Sequence, residues 1–224
     1  MSEREKILAR VREALQVKAA IPGATQRAAP SAPSSGAREW LPNVGASFHD
    51  QMDLFARNAA ALKADFQLFN SADELSLGLA GLGVKAGWKK VAGHSGELND
   101  AIRPALNLPW LSTDEEYRVD ELEACDAGIS ECDALIAQAG TVLVTNRSAG
   151  GRALSVLPPH HVVLARREQL VPDLPAAFEL LKQKYAGGYP SMISFITGPS
   201  RTGDIERILV LGAHGPKQLT ILCF

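Results

Sequence analysis

The chain has 224 residues, of which 46% are hydrophobic, 21% charged and 6% aromatic; this composition excludes a mainly disordered polypeptide and suits one α/β domain with at most a short appendage. Lys plus Arg total 23 against 25 Asp plus Glu, a formal charge of -2, so no global basic field draws the chain to nucleic acid or anionic lipid, and any anion site must be local. Cys125, Cys132 and Cys223 form no Cys-x-x-Cys pair. They fall short of the four thiolates an iron-sulfur cluster usually takes, so no cluster is expected, and their sparse, odd number fits three inert thiols in a reducing compartment.

The charged start, Met-Ser-Glu-Arg-Glu-Lys, leads into no apolar run of the secretory kind, and no stretch approaches the roughly 18 apolar residues of a spanning helix. A cytoplasmic protein without a membrane span is the expectation. Ser2 and Glu5 have capping-box spacing, and Ile7, Leu8, Val11 and Leu15 recur with helical period, predicting an amphipathic helix over 2–18. The Pro/Ala/Ser run that follows, densest over 19–37 and ending before about residue 45, reads as a linker with too few large apolar groups to pack.

The globular part is expected over 45–224. Ser47 and Asp50 open a long helix, Phe66-Gln-Leu-Phe69 reads as a strand, Ser71 and Glu74 open a leucine-rich helix to about residue 82, and Trp88-Lys-Lys-Val-Ala92 reads as a second strand. This βαβ alternation predicts a mostly parallel sheet covered by helices. Ala134-Leu-Ile-Ala137 and Thr141-Val-Leu-Val144, separated by three residues, predict a β-hairpin. Further on come a segment over 152–157, a strand from His161, a helix over 172–185, a strand Met192-Ile-Ser-Phe-Ile196, and two closing strands, 207–211 and 218–222, around Gly212-Ala-His-Gly-Pro216.

Two loops carry anion-binding chemistry. Gly198-Pro-Ser-Arg-Thr-Gly-Asp-Ile-Glu206 follows strand 193–196 and reads as a turn at the C-terminal edge of a parallel sheet, where open α/β folds bind ligands. Arg201, Ser200, Thr202 and the backbone amides would form the cradle; the competing reading is a helix cap with a solvated arginine. Asn146-Arg-Ser-Ala-Gly-Gly-Arg152 brings Arg147 and Arg152 beside two glycines that let backbone approach a ligand, and could form the opposite wall; the competing reading is an exposed hairpin loop. Of the histidines, His160 and His214 are candidates for moving a proton. Adjacent His160 and His161 point to opposite strand faces and cannot chelate together, so no metal site is expected. Gly78-Leu-Ala-Gly-Leu-Gly83 follows a helix rather than a strand and is rejected as a dinucleotide fingerprint. Gly93-His-Ser-Gly96 is one residue short of a nucleophile elbow and reads as a strand-to-helix turn.

The run Ile129-Ser-Glu-Cys-Asp133 through Ala137-Gln-Ala-Gly-Thr141, then Thr145-Asn146, Gly151-Arg152, Leu157-Pro-Pro-His160, and above all Ile196-Thr-Gly-Pro-Ser-Arg-Thr-Gly-Asp-Ile-Glu206 with Gly212-Ala-His-Gly-Pro216, resembles the lactate utilization protein C family and its LUD domain. The resemblance covers about residues 45–224. It departs from that pattern at Gln138, Ala139 and Gly203. It implies a three-layer fold of the NagB/RpiA/CoA-transferase-like superfamily, with a mostly parallel sheet, a β-hairpin insertion and an N-terminal helical extension. It also implies a part in oxidising L-lactate to pyruvate alongside iron-sulfur partner proteins, with a small carboxylate or phosphate as ligand. Gly140, Thr141, Asn146, Arg147, Arg152, Gly198, Ser200, Arg201, Thr202 and Lys217 are the expected anion-binding residues, and His160, His214, Asp204 and Glu206 the candidate proton-handling ones. The cofactor is left open. The alternatives are a non-catalytic assembly subunit of such a complex, or an independent transferase or isomerase acting on a CoA ester or phosphosugar.

Overall fold

The computed structural model describes residues 3–16, 41–205, 208–212 and 214–224; the linker stretch 19–37 lies outside them. Contacts divide the chain into two units, Met1–Leu41 and Pro42–Phe224. In the first, helix α1 spans Glu3–Gln16 and leaves Ile7, Leu8 and Val11 exposed. All other elements belong to the second. Among the described residues no helix is long and apolar enough to cross a membrane.

Burial of period two builds the central sheet. In β7 (His160–Ala165), Val162 and Leu164 join one core while Val163 and Ala165 join another; in β12 (Gln218–Cys223), Leu222 joins the first and Ile221 and Cys223 the second. Strands apolar on both faces belong in a parallel sheet covered on both sides. The sheet has six strands in the order β1 (Asp65–Leu68), β12, β7, β4 (Ala127–Glu131), β2 (Val91–Gly93) and β3 (Trp110–Ser112), and every neighbouring pair is parallel. The strands α3 (Ala72–Ala86) and α4 (Glu97–Leu106) flank are covered on one face by Leu75, Leu79, Leu98 and Ile102. On the other face lies α2 (Phe48–Ala61), started by the Ser47–Asp50 capping box and contributing Met52, Phe55 and Ala59.

The predicted hairpin forms β5 (Ala134–Ile136) and β6 (Thr141–Thr145), in register Ile136 to Thr141. It widens into a second sheet of four strands, with β8 (Leu170–Val171) beside β5 and β9 (Ile193–Ile196) beside β6. Leu135, Val142 and Val144 pack into the α2 core, whereas Ala134, Ile136 and Leu143 pack under α6 (Leu174–Lys184). The layers are therefore α3 and α4, the parallel sheet, and α2 with the hairpin sheet, as the sequence suggested. A short helix, α5 (Val119–Glu123), leads from β3 to β4.

Two elements differ from expectation. Strand 193–196 is an edge strand antiparallel to β6, not a buried member of the parallel sheet. The preceding α6 packs on the outer face of the hairpin, so the chain returns beside β6, with Phe195 against Phe178 at 5.5 Å between ring centroids. Residues 201–205 are not a turn opening a helix: β10 (Arg201–Ile205) pairs antiparallel with β11 (Ile208–Leu211). Isoleucine on both sides of a two-residue connection, at 205 and 208, with β-branched Thr202 and Val210 beyond it, favours a hairpin over a cap.

Candidate functional site

Open α/β sheets bind ligands outside strand C-termini, where successive connections leave to opposite faces. That point falls between β2 and β4. From β2 the chain enters α4 on one face, and from β4 it enters the hairpin sheet on the other. The loop Gly93-His-Ser-Gly96, expected as a strand-to-helix turn, does open α4 with Gly96 at its N-cap. Gly96 brings no side-chain cap, and Glu131 at the end of β4 supplies the missing acceptor: its Oε1 takes the N–H groups of Leu98 (2.9 Å) and Asn99 (3.2 Å). An anion at that helix start also complements the dipole. His94, 5% exposed, accepts from the Glu131 N–H through Nε2 (3.2 Å) and places Nδ1 2.9 Å from the Ser95 carbonyl. The Nε2 acceptor fixes the neutral tautomer with its proton on Nδ1. Asp114 accepts from the Ser95 N–H. Asn99, wholly buried in the first turn of α4, has neither Oδ1 nor Nδ2 paired among the described residues.

The loop 146–152 closes over this point. At Gly150 φ is +61°, and a Cβ there would run into His94 and Thr113, so only glycine lets the loop come this close. Asn146 ties the loop to Met192, donating its N–H to the Met192 carbonyl and accepting from the Met192 N–H at Oδ1 (both 3.2 Å). Arg147 lies over the Tyr185 ring at 5.4 Å, and Arg152 is exposed with no acidic partner among the described residues. Beneath the loop is a buried carboxylate that sequence reading missed. Asp133 accepts from Lys184 Nζ (2.7 Å), Tyr185 Oη (2.6 Å) and Ser148 Oγ (2.5 Å). Burial alone would raise its pKa, but these three donors hold it below the ordinary carboxylate value. Its sequence signals were its place at the end of the family-like run Ile129-Ser-Glu-Cys-Asp133 and its position directly before the apolar run 134–137.

The expected site residues do not converge. β6 and β9 are antiparallel, with Val142 opposite Ile196 and Thr145 opposite Ile193, so loop 146–152 and the segment from Gly198 leave opposite ends of that strand pair. Gly198 lies on the Leu62 carbonyl at the start of β1, and Ser200 donates its N–H to the Pro216 carbonyl (2.9 Å). Lys217 donates its N–H to the Pro159 carbonyl at the start of β7. These residues therefore gather at the strand starts, not at the C-terminal edge. Gly140 packs against Asn58 and Ala59 of α2, and Thr141, 2% exposed, pairs with Thr197 (2.8 Å between hydroxyls). Arg201 and His214 are exposed, Thr202 and Asp204 belong to β10, and Glu206 lies outside the described residues.

The adjacent histidines take opposite faces. His160 Nε2 meets Thr220 Oγ1 and His161 Nε2 meets Ser130 Oγ, each at 2.9 Å, and both Nδ1 atoms are buried without a partner among the described residues. Burial depresses the His160 pKa to about 4, against a small opposing pull from Asp65; burial and then the neighbouring His160 depress His161 to about 3. Both are neutral at pH 7. All three cysteines are buried. Burial raises each thiol, Cys132 well above its ordinary value and Cys223 to about 12, so none is a ready thiolate.

The LUD domain family matches residues 70–223. Among curated proteins, the chain is 30% identical to lactate utilization protein C of Shouchella clausii over 179 residues, covering 76% of this chain and 77% of that one. It is 38% identical to lactate utilization protein C of Halalkalibacterium halodurans over 109 residues, covering 48% and 47%, and 34% identical to that of Bacillus subtilis over 109 residues, covering 48% and 45%. The fold is similar to the crystal structure of a DUF162 family protein from Deinococcus radiodurans, with TM-score 0.62 and 21% identity over 80% of this chain and 99% of that one.

Proposed function

The chain belongs to the LUD domain family of lactate utilization proteins, and from that premise we propose that it serves lactate utilization by binding a small carboxylate of the lactate and pyruvate class where β2 and β4 diverge. One observation carries the placement: loop 146–152, whose Arg152 guanidinium has no acidic partner among the described residues, lies directly on the His94 and Thr113 loops at the strand C-termini. Arg152 receives the carboxylate by its two-pronged fork, and the backbone at Gly151, beside which nothing lies within 4 Å of a Cβ position, leaves room for close approach. Glu131 and Asp114 are spent on local N–H groups and do not compete for Arg152. The unpaired Asn99 amide offers a donor and an acceptor for a ligand hydroxyl or a bound water.

Oxidising a 2-hydroxy acid to a 2-oxo acid releases two electrons and two protons. The chain has three cysteines, short of the four thiolates a cluster usually takes, which supports a division of labour in which iron-sulfur partner proteins carry the electrons. Thermal unfolding with L-lactate, pyruvate and chloride as control tests the reading, because a ligand that binds only the folded state at 100 times its Kd adds about 2.7 kcal/mol. A rise in midpoint with lactate or pyruvate that is absent in Arg152→Ala is expected. No rise with either would overturn it.

A non-catalytic assembly role is the second reading, favoured by the exposed stripe on α1, where Ile7 is 60% and Val11 49% exposed. It expects loss of the iron-sulfur partners from a chain lacking residues 1–40. Undiminished co-purification would count against it.

A further inference from the structure

The strand starts carry a cleft that the carboxylate reading leaves unused. It encloses about 420 Å³ and is lined by Lys63, Lys85 and Lys217 against the single acid Asp65, with His160 and Thr220 in its walls. That volume is within the range of small-molecule sites. The three lysines come from separate parts of the chain: Lys63 follows α2, Lys85 stands in the last turn of α3, and Lys217 precedes β12.

A lysine near a helix C-terminus is already favoured by the dipole, which accounts for Lys85. It does not account for the backbone of Lys63. Ala64 N–H donates to Ala59 (2.9 Å) and Lys63 N–H to Ala60 (3.0 Å), closing α2 with a Schellman motif in which Lys63 holds the left-handed position at φ +68°. Glycine is the residue that position favours. A lysine there accepts backbone strain and gains an ammonium on the cleft. Lys217 shows a similar accommodation, since its side chain lies so close to Gly212, at φ +74°, that a Cβ at 212 would overlap it. Finally, His160 is 5% exposed and its Nδ1 lacks any hydrogen-bond partner, alone among the buried polar side-chain atoms of the described residues lining the cleft.

We propose that this cleft binds a phosphorylated small molecule, with the phosphate held by Lys63, Lys85 and Lys217 and the carbon part against Leu82 and Ala86. Three point charges around one acid suit a dianion, and lysine binds phosphate as a point charge, whereas a monocarboxylate is served by one arginine fork. This site is separate from the carboxylate position at the strand ends, and either can exist without the other.

The test titrates inorganic pyrophosphate and phenyl phosphate into the full chain, read by calorimetry and by tryptophan fluorescence, since Trp88 lies 5.3 Å from His160 between ring centroids. Saturable binding that weakens as salt is raised is expected. It should fall about tenfold or more in Lys85→Ala combined with Lys217→Ala, a change of about 1.4 kcal/mol. Lys63→Gly is the variant that cannot fail by unfolding: relief of the left-handed lysine raises the unfolding midpoint while phosphate binding weakens. Arg152→Ala leaves phosphate binding unchanged, which separates this proposal from the carboxylate one. Absence of saturable binding of either probe, or unchanged affinity in both the Lys63→Gly and the double alanine variants, would overturn it.

Discussion

The two ends of the parallel sheet treat their polar groups differently. At the strand C-termini the polar side chains largely satisfy one another or nearby backbone: Glu131 caps α4, both His94 nitrogens are engaged, Asp114 holds the Ser95 N–H, and Asp133 collects three donors. At the strand starts, three exposed lysines face one acid and the His160 Nδ1 is unpaired. The first arrangement is a rigid frame whose members are costly to remove singly, because each leaves a partner stranded. The second is open to a ligand, and its members can be removed with little loss of stability.

That contrast orders the expected effects. Asp133→Ala strands Lys184, Tyr185 and Ser148 around an emptied buried position and should cost about 3 kcal/mol in urea unfolding. A loss under about 1 kcal/mol would mean the frame is not cooperative. Gly150→Ala forces a Cβ into His94 and Thr113 at positive φ and should cost about 2 kcal/mol while abolishing carboxylate binding. Glu131→Gln removes the charge from the start of α4 and should cost about 1 kcal/mol. At the other end, Lys63→Gly should stabilise by about 0.5 to 1 kcal/mol.

Acid should weaken the fold in two stages. His160 and His161 have folded pKa values of about 4 and 3, below the ordinary 6.5, so below that value the unfolded chain binds protons the folded chain refuses. Stability is full above about pH 6.5 and falls as pH drops toward 4, by about 1.4 kcal/mol per pH unit for each proton taken up. Asp133, lowered in the fold, contributes stability that is present above its ordinary value of 3.8 and is lost as pH falls through its folded value. His161→Gln should flatten the first stage by one proton, as urea unfolding at stepped pH will show.

Much of the fold was legible because its signals are local. Ser47 and Ser71 mark helix starts by their own hydroxyls, and the three-residue spacing of 134–137 and 141–144 announces a hairpin. Strand β3, three residues long, is too short to show a period of its own and has no adjoining turn signal of the kind that marks β5, so it was missed. The site was less legible because it depends on where strands end in space. The glycines and arginines of 146–152 and 198–201 were visible, yet only the antiparallel register of β6 and β9 reveals that they leave opposite ends. Lys63 and Lys85 carry no local signal of a site, since nothing in the sequence shows that α2 and α3 end beside the same strand starts.

The most direct measurement is calorimetric titration of pyruvate into the full chain, Arg152→Ala and Arg201→Ala. The account predicts saturable binding to the full chain, a loss of about tenfold or more in Arg152→Ala, and no change in Arg201→Ala. Binding that survives Arg152→Ala and is lost in Arg201→Ala would contradict it and move the carboxylate site to the strand starts.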